Sequence, residues 1–167
     1  MASNAAMAGR VVVVAPDGGQ SFWQPRPANG FIEVGLSPAL TGFDGFVQGF
    51  QTIAPHSHIR EHLHTDLVEM LVCIEGAGRL VYDGQERAFA PRTACLIGPG
   101  VRHSVVNDAD QPLTMLWLQT PPGAEKFFDQ VGRPRRPGEP APSPFERPTD
   151  SSALAAASGL TYFGGDR

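Results

Sequence analysis

The chain has 167 residues, a length that suits one domain with its own core. Its formal net charge of −4, with 18% charged and 41% hydrophobic residues, excludes the strongly basic surface that grips nucleic acid or an anionic membrane. Two cysteines, Cys73 and Cys95, are too few for a disulfide framework, and their apolar surroundings fit reduced thiols in the cytoplasm.

No run is long enough to cross a bilayer as a helix, and the opening MASNAAMAGRVVVVAP has an apolar core shorter than a signal peptide needs, roughly 7–15 residues. An untargeted, cytoplasmic start is expected. Short β-rich runs then follow one another: VVVVA (11–15), SFWQ (21–24), FIEVGL (31–36) and FVQGFQTI (46–53). After them come LVEMLVCIE (67–75), GRLVYDG (78–84), TACLIG (93–98), HSVVN (103–107) and LTMLWLQ (113–119). Gly, Pro, Asn or Asp closes each run, and turn signals recur about every ten residues, the pattern of an antiparallel sandwich or barrel. GAEKFFDQVG (123–132) predicts a helix ended by its glycine. Residues 121–148 hold eight of the 16 prolines, so PGEPAPSPFERP should be an extended arm on the barrel or on a second subunit. SSALAAASGLTYFGG reads as a short helix and an edge strand.

Four of the five histidines crowd into HSHIREHLH (56–64). His62 and His64 are two apart, so on a strand they face one side. Glu69 shares a strand face with Leu71 and Cys73 and looks into the same interior. His103 arrives from a third strand, after the turn IGPGVR. Three neutral imidazoles and one carboxylate form a compact site for a divalent first-row metal and leave positions open for water, substrate or O2. The alternative is a buried polar cluster without metal, at the cost of unpaired polar groups.

The pattern from His56 to Gly76 resembles the first motif of the cupin superfamily, G(x)5HxH(x)4E(x)6G, with every spacing kept. Gly98-Pro99-Gly100-Val101-Arg102-His103, closed by Asn107, is similar to the second motif, PxG(x)2H(x)3N. The resemblance implies an all-β fold, the cupin double-stranded β-helix or jelly-roll barrel, with a short C-terminal helix and a Pro-rich arm. Within one domain, residues 1–40 would extend the sheet, 41–120 would be the barrel core with the metal site, and 121–167 the C-terminal extension. By position His62, His64, Glu69 and His103 would be the metal ligands. Three departures stand out. His56 replaces the first motif's glycine, Gly98 replaces the second motif's proline, and Arg92-Thr93 replaces the usual Gly-Asp turn.

His56 and His58 lie on the approach to the ligands, as a substrate-contacting or proton-handling pair or as a solvated loop. Cys73 has inward parity and would line the cavity or simply fill the core. Tyr82 and Arg102 would reach substrate, or be wall packing and a surface charge. Phe43, Phe46, Phe50, Met70, Met115 and Trp117 would be core and apolar lining. Arg133, Arg135 and Arg136 fit a solvated arm or subunit contact better than a phosphate site.

Such a site can activate O2, act as a Lewis acid, or hold a small ligand without chemistry. The segment LWLQTPPGAEKFFDQVGRPRRPGEPAP resembles the extension of single-domain, quercetin-dioxygenase-like bacterial cupins. That resemblance favours a non-haem dioxygenase for a small enolic or aromatic compound, with Fe(II) before Mn, Ni, Co or Zn and with Glu69 or His56 taking the proton. An isomerase, lyase or decarboxylase and a non-catalytic binding protein are the alternatives. Extra strands before residue 40 imply a homodimer, because an exposed VVVV edge invites pairing.

Overall fold

A computed structural model describes residues 7–123 and 125–163. Residues 1–6 of the expected untargeted start, and Gly164 and Gly165 of the expected edge strand, lie outside the described residues.

The elements in chain order are β1 (Gln20–Trp23), β2 (Phe31–Leu36), α1 (Pro38–Thr41), β3 (Val47–Ile53), β4 (Ser57–His58) and β5 (His62–His64). They continue with β6 (Val68–Glu75), β7 (Gly78–Tyr82), β8 (Gln85–Phe89), β9 (Ala94–Ile97), β10 (His103–Asn107) and β11 (Leu113–Thr120). The chain closes with α2 (Lys126–Val131), β12 (Arg133–Pro134), α3 (Ser151–Ala157) and β13 (Leu160–Tyr162). Two antiparallel sheets result. The larger runs β12-β1-β2-β3-β11-β6-β9; the smaller runs β13-β5-β10-β7-β8, with β4 also paired to β10. The expected all-β cupin architecture is present.

Alternation along the strands aims one face of each sheet at a shared core. Leu113, Met115, Trp117 and Gln119 of β11 are buried between half-buried neighbours, as are Glu69, Leu71 and Cys73 of β6. Leu80, Phe89 and Val105 from the smaller sheet complete this core. Gly49 stands opposite Trp117 on the neighbouring strand. A Cβ there would come within 2.7 Å of the indole and 1.8 Å of the Glu33 carbonyl oxygen, so the bare glycine lets Trp117 lie flat in the core.

Several turns need left-handed backbone. Gly76 takes φ 77°, and a Cβ there would collide with the Pro112 carbonyl oxygen at 2.3 Å. His56 and Arg92, the residues standing where the cupin motifs carry glycine, adopt φ 52° and 76°. The substitutions changed the residues and left the backbone shape the glycines would favour.

Residues 11–15 form no strand, contrary to the expectation from VVVVA. Val11 and Val13 are 88% and 84% exposed. The edge of β1, the strand nearest this run in sequence, is taken by β12, and residues 12–16 instead line a hollow with Phe50, Leu116 and Leu118. High β-propensity alone does not make a strand. Phe50, expected in the core, points out of the larger sheet, one position out of phase with the buried Gln51. Strand β8 was not anticipated: QERAF has one buried residue, Phe89, and too little apolar pattern to show.

The helix expected over 123–132 is α2, ended at Gly132, whose N–H bonds to Phe128. The Pro-rich arm packs on its own barrel. Arg26 N–H donates to the Phe145 carbonyl at 2.9 Å, and the Arg133 guanidinium lies 4.0 Å from the Phe145 ring centre. Strand β13 pairs with β5, and with α2 and α3 it builds a second apolar cluster of Leu67, Phe127, Val131, Ala155 and Leu160. No helix among the described residues is long and apolar enough to cross a membrane.

Candidate metal centre

Strands β5, β6 and β10 bring His62, His64, Glu69 and His103 together, all buried. One donor atom from each lies within 4.8 Å of the other three. Glu69 and His103 come from different sheets, so the cluster sits where the two sheets face each other. The ring of His62 is 4.2 Å from that of His103 and 5.0 Å from that of His64, centre to centre.

The outer ring nitrogens are fixed by backbone. His62 Nδ1 donates to the Arg60 carbonyl at 2.8 Å, and His103 Nδ1 donates to the Val101 carbonyl at 3.0 Å. Both bonds span two residues and follow from the turn entering each strand. They set the tautomer and leave Nε2 for the centre, the orienting role that carbonyls play behind metal-bound imidazoles. Glu69 Oε2 lies 3.0 Å from His103 Nε2 and 3.5 Å from His64 Nε2, while Oε1 accepts from Gln119 Nε2 at 2.7 Å.

Burial and the charge carried by neighbouring imidazoles depress His62 to about 3, so its ring is neutral at physiological pH. For Glu69 burial works the other way, but the hydrogen bond from His103 and the proximity of His64 hold the carboxyl well below its ordinary range. Burial likewise opposes charge on His103, and the hydrogen bond and attraction of Glu69 outweigh it, leaving that ring raised.

These residues fit a divalent metal on a specific observation. Both ring nitrogens of His64 are buried with no hydrogen-bond partner, although a buried imidazole normally uses at least one. A cation coordinated by Nε2 would satisfy one of them and stand in for the proton shared by His103 and Glu69. The donor set, three nitrogens and one oxygen, suits Fe, Mn, Co, Ni or Zn.

The centre lies in the wall of a cavity bounded mainly by apolar side chains, among them Phe22, Ile32, Leu71, Val105, Met115 and Trp117, with Gln24, Gln51, Gln119 and Arg147 as polar members of the wall. The free space in the cavity is about 60 Å3, enough for a small molecule only. Trp117 and Gln119 line this wall, and Trp117 Nε1 and Gln119 Oε1 are buried without hydrogen-bond partners.

Other sequence candidates fall elsewhere. His56 is exposed, its Nε2 2.9 Å from Asp110 Oδ1, and neither it nor His58 lines the cavity. His58 is half-buried on β4, and burial lowers it. Cys73 is core and outside the lining, with burial raising its thiol. Tyr82 packs at the core edge near the Arg87 guanidinium. Arg102 pairs with Glu61 at 2.5 Å and covers the Phe163 ring. Asn107 of the second motif is a tie between segments: its Nδ2 donates to the carbonyls of Ile53, Ala54 and Gln111. Sequence reasoning missed Gln119, although its parity with Trp117 in LTMLWLQ marks it as inward. It also missed Arg147 and Tyr162, which the C-terminal arm and β13 deliver to the wall.

Residues 49–119 match the family model described as "Cupin domain". Among solved structures, the polyketide cyclase RemF from Streptomyces resistomycificus superimposes with a TM-score of 0.60 at 19% identity, covering 68% of this chain and 81% of its own. A sugar phosphate isomerase from Silicibacter pomeroyi, described as from a cupin superfamily, gives 0.57 at 21% identity, covering 67% and 77%. A Cupin 2 conserved barrel domain protein from Salinispora arenicola gives 0.50 at 29% identity, covering 56% and 76%. No curated protein matches the sequence. Both motifs sit on the paired sheets they call for, and the chain has the cupin fold, with the match to the cupin domain running over residues 49–119.

Proposed function

We propose that the protein is a metal-dependent, non-haem dioxygenase for a small enolic or aromatic compound. The observation that carries this reading is the convergence of three imidazoles and one carboxylate on a small cavity whose walls are mainly apolar. A divalent metal held by His62, His64, Glu69 and His103 would supply open coordination positions and, as iron, electron transfer between substrate and O2.

The chain's own residues do the rest. Trp117, Met115, Leu71 and Val105 exclude water and match a flat apolar substrate. Trp117 Nε1 and Gln119 Oε1, both without partners, would hydrogen-bond its polar edge. Glu69 would serve as base by giving up its place in the ligand set, which the three imidazoles can hold without it. It would take the substrate's hydroxyl proton at Oε2 while Gln119 holds Oε1. His56 has no part in this scheme, because its ring is on the surface with Asp110.

Oxygen uptake by Fe(II)-loaded protein with a panel of enols and catechols tests the reading. Substrate-dependent uptake that zinc loading abolishes supports it. Product formed at equal rate without O2 would replace it with an isomerase, lyase or decarboxylase, and metal-loaded protein that binds but never turns over would leave a binding protein.

A further inference from the structure

Arg147 reaches the cavity wall from the Pro-rich arm, 44 positions after the last metal ligand in sequence. Its guanidinium carbon lies 4.6 Å from the centre of the Tyr162 ring and 5.8 Å from that of Phe127. The Tyr162 ring is in turn 5.8 Å from that of His62, so one ring separates the guanidinium from the metal ligands. Nε donates to the Arg26 carbonyl at 3.4 Å. Nη1 is buried and meets no acceptor. Among the described residues no carboxylate pairs with Arg147; its neighbour Glu146 is 3.4 Å from Arg26 instead. Among the described residues lining this cavity, it is the one charged side chain outside the candidate metal ligands.

A guanidinium keeps its charge at any physiological pH, so the half-buried Arg147 cannot relieve its covered Nη1 by losing a proton. A buried N–H without an acceptor is costly, and the surrounding protein offers none. A planar carboxylate matches the guanidinium fork better than any other small group.

We infer that Arg147 anchors a carboxylate of the substrate, whose far end meets the metal centre. The inference rests on the metal-site reading and narrows the substrate to a small carboxylic acid with an enolic or carbonyl oxygen a few bonds away. Limited free space favours a compact acid. Arg147 then fixes orientation, turning the reactive oxygen toward His62 and Glu69 by holding the opposite end.

The test is calorimetric binding of pyruvate and of butane-2,3-dione, which has the same number of heavy atoms but a methyl ketone in place of the carboxylate. Both are titrated into zinc-loaded and metal-free protein. Pyruvate should bind zinc-loaded wild type at least about tenfold more tightly than the dione, as a charge-assisted hydrogen bond would provide. Arg147→Met keeps the stem over Tyr162 and should remove about tenfold or more of the pyruvate affinity, leaving dione affinity and zinc stoichiometry unchanged; Arg147→Lys should recover part of the loss. Should Arg147→Met not fold, Arg147→Gln is read in the same way. Equal binding of the two compounds by wild type, or an unchanged pyruvate preference in the folded variant, overturns the inference. Wild type that holds no zinc sinks the metal reading alone, and the Arg147-dependent preference is then read on metal-free protein.

Discussion

Gln119 and Glu69 face each other across β11 and β6, and the Gln119 amide donates to Glu69 Oε1 at 2.7 Å. The bond leaves Oε2 alone to address His103 and His64. Gln119 is thus a positioning residue, holding the carboxylate in the orientation a metal requires. Gln119→Leu should weaken metal affinity by about 10–100-fold, the range seen when a partner behind a ligand is lost. It should also cost roughly 1–3 kcal/mol of stability, because Oε1 stays buried without a donor. Metal titration and thermal unfolding read the two effects; an unchanged metal affinity would show that Glu69 needs no support.

Glu69→Gln should retain metal through the three histidines while turnover falls by at least about 100-fold, the scale of a lost general base. Metal content by elemental analysis and oxygen uptake on the same sample give the comparison. Loss of both in equal measure would return Glu69 to a purely ligating role.

Without metal, the protein should lose stability as pH falls from 6.5 toward 3. His62 is depressed from 6.5 to about 3 when folded, so over that window the unfolded chain takes up a proton that the folded chain refuses. Glu69, also depressed, adds to the loss below its ordinary value of 4.5. His103 is raised and acts oppositely, its contribution being complete below 6.5 and fading as pH rises through its folded value. The combined acid loss should be on the order of a few kcal/mol. Denaturant midpoints flat across this window would contradict the buried, neutral His62.

His56→Gly should leave metal binding and turnover within about twofold of wild type. The left-handed backbone at φ 52° suits glycine, and relief of that strain, about 1 kcal/mol, is offset by glycine's greater freedom in the unfolded chain. A small rise in melting temperature or none is expected. A tenfold fall in turnover would place His56 in the chemistry after all.

The ligand quartet was legible because each spacing has a structural meaning: two residues keep His62 and His64 on one strand face, and Glu69 keeps the inward parity of β6. The strands were legible for the same reason, period-two alternation between turn residues. What escaped was decided by partners distant in sequence. Residues 11–15 have the composition of a strand, yet the neighbouring edge of β1 pairs with Arg133–Pro134 from far along the chain. His56 sits beside the binding pair in sequence and turns to Asp110 instead. Arg147 and Tyr162 carry no motif; only the path of the arm and the pairing of β13 with β5 bring them to the wall.

That path orders the events of synthesis. All four residues of the candidate centre lie at or before His103, whereas the part of the wall made by Arg147, Leu160 and Tyr162 is translated after them. A nascent chain can therefore assemble the four donors while one side of the cavity still stands open to solvent. Metal could enter through that gap before the arm and β13 close it. With the arm and β13 seated, their local opening would add a route for a bound ion, so faster metal release in a variant that loosens the arm would report that opening.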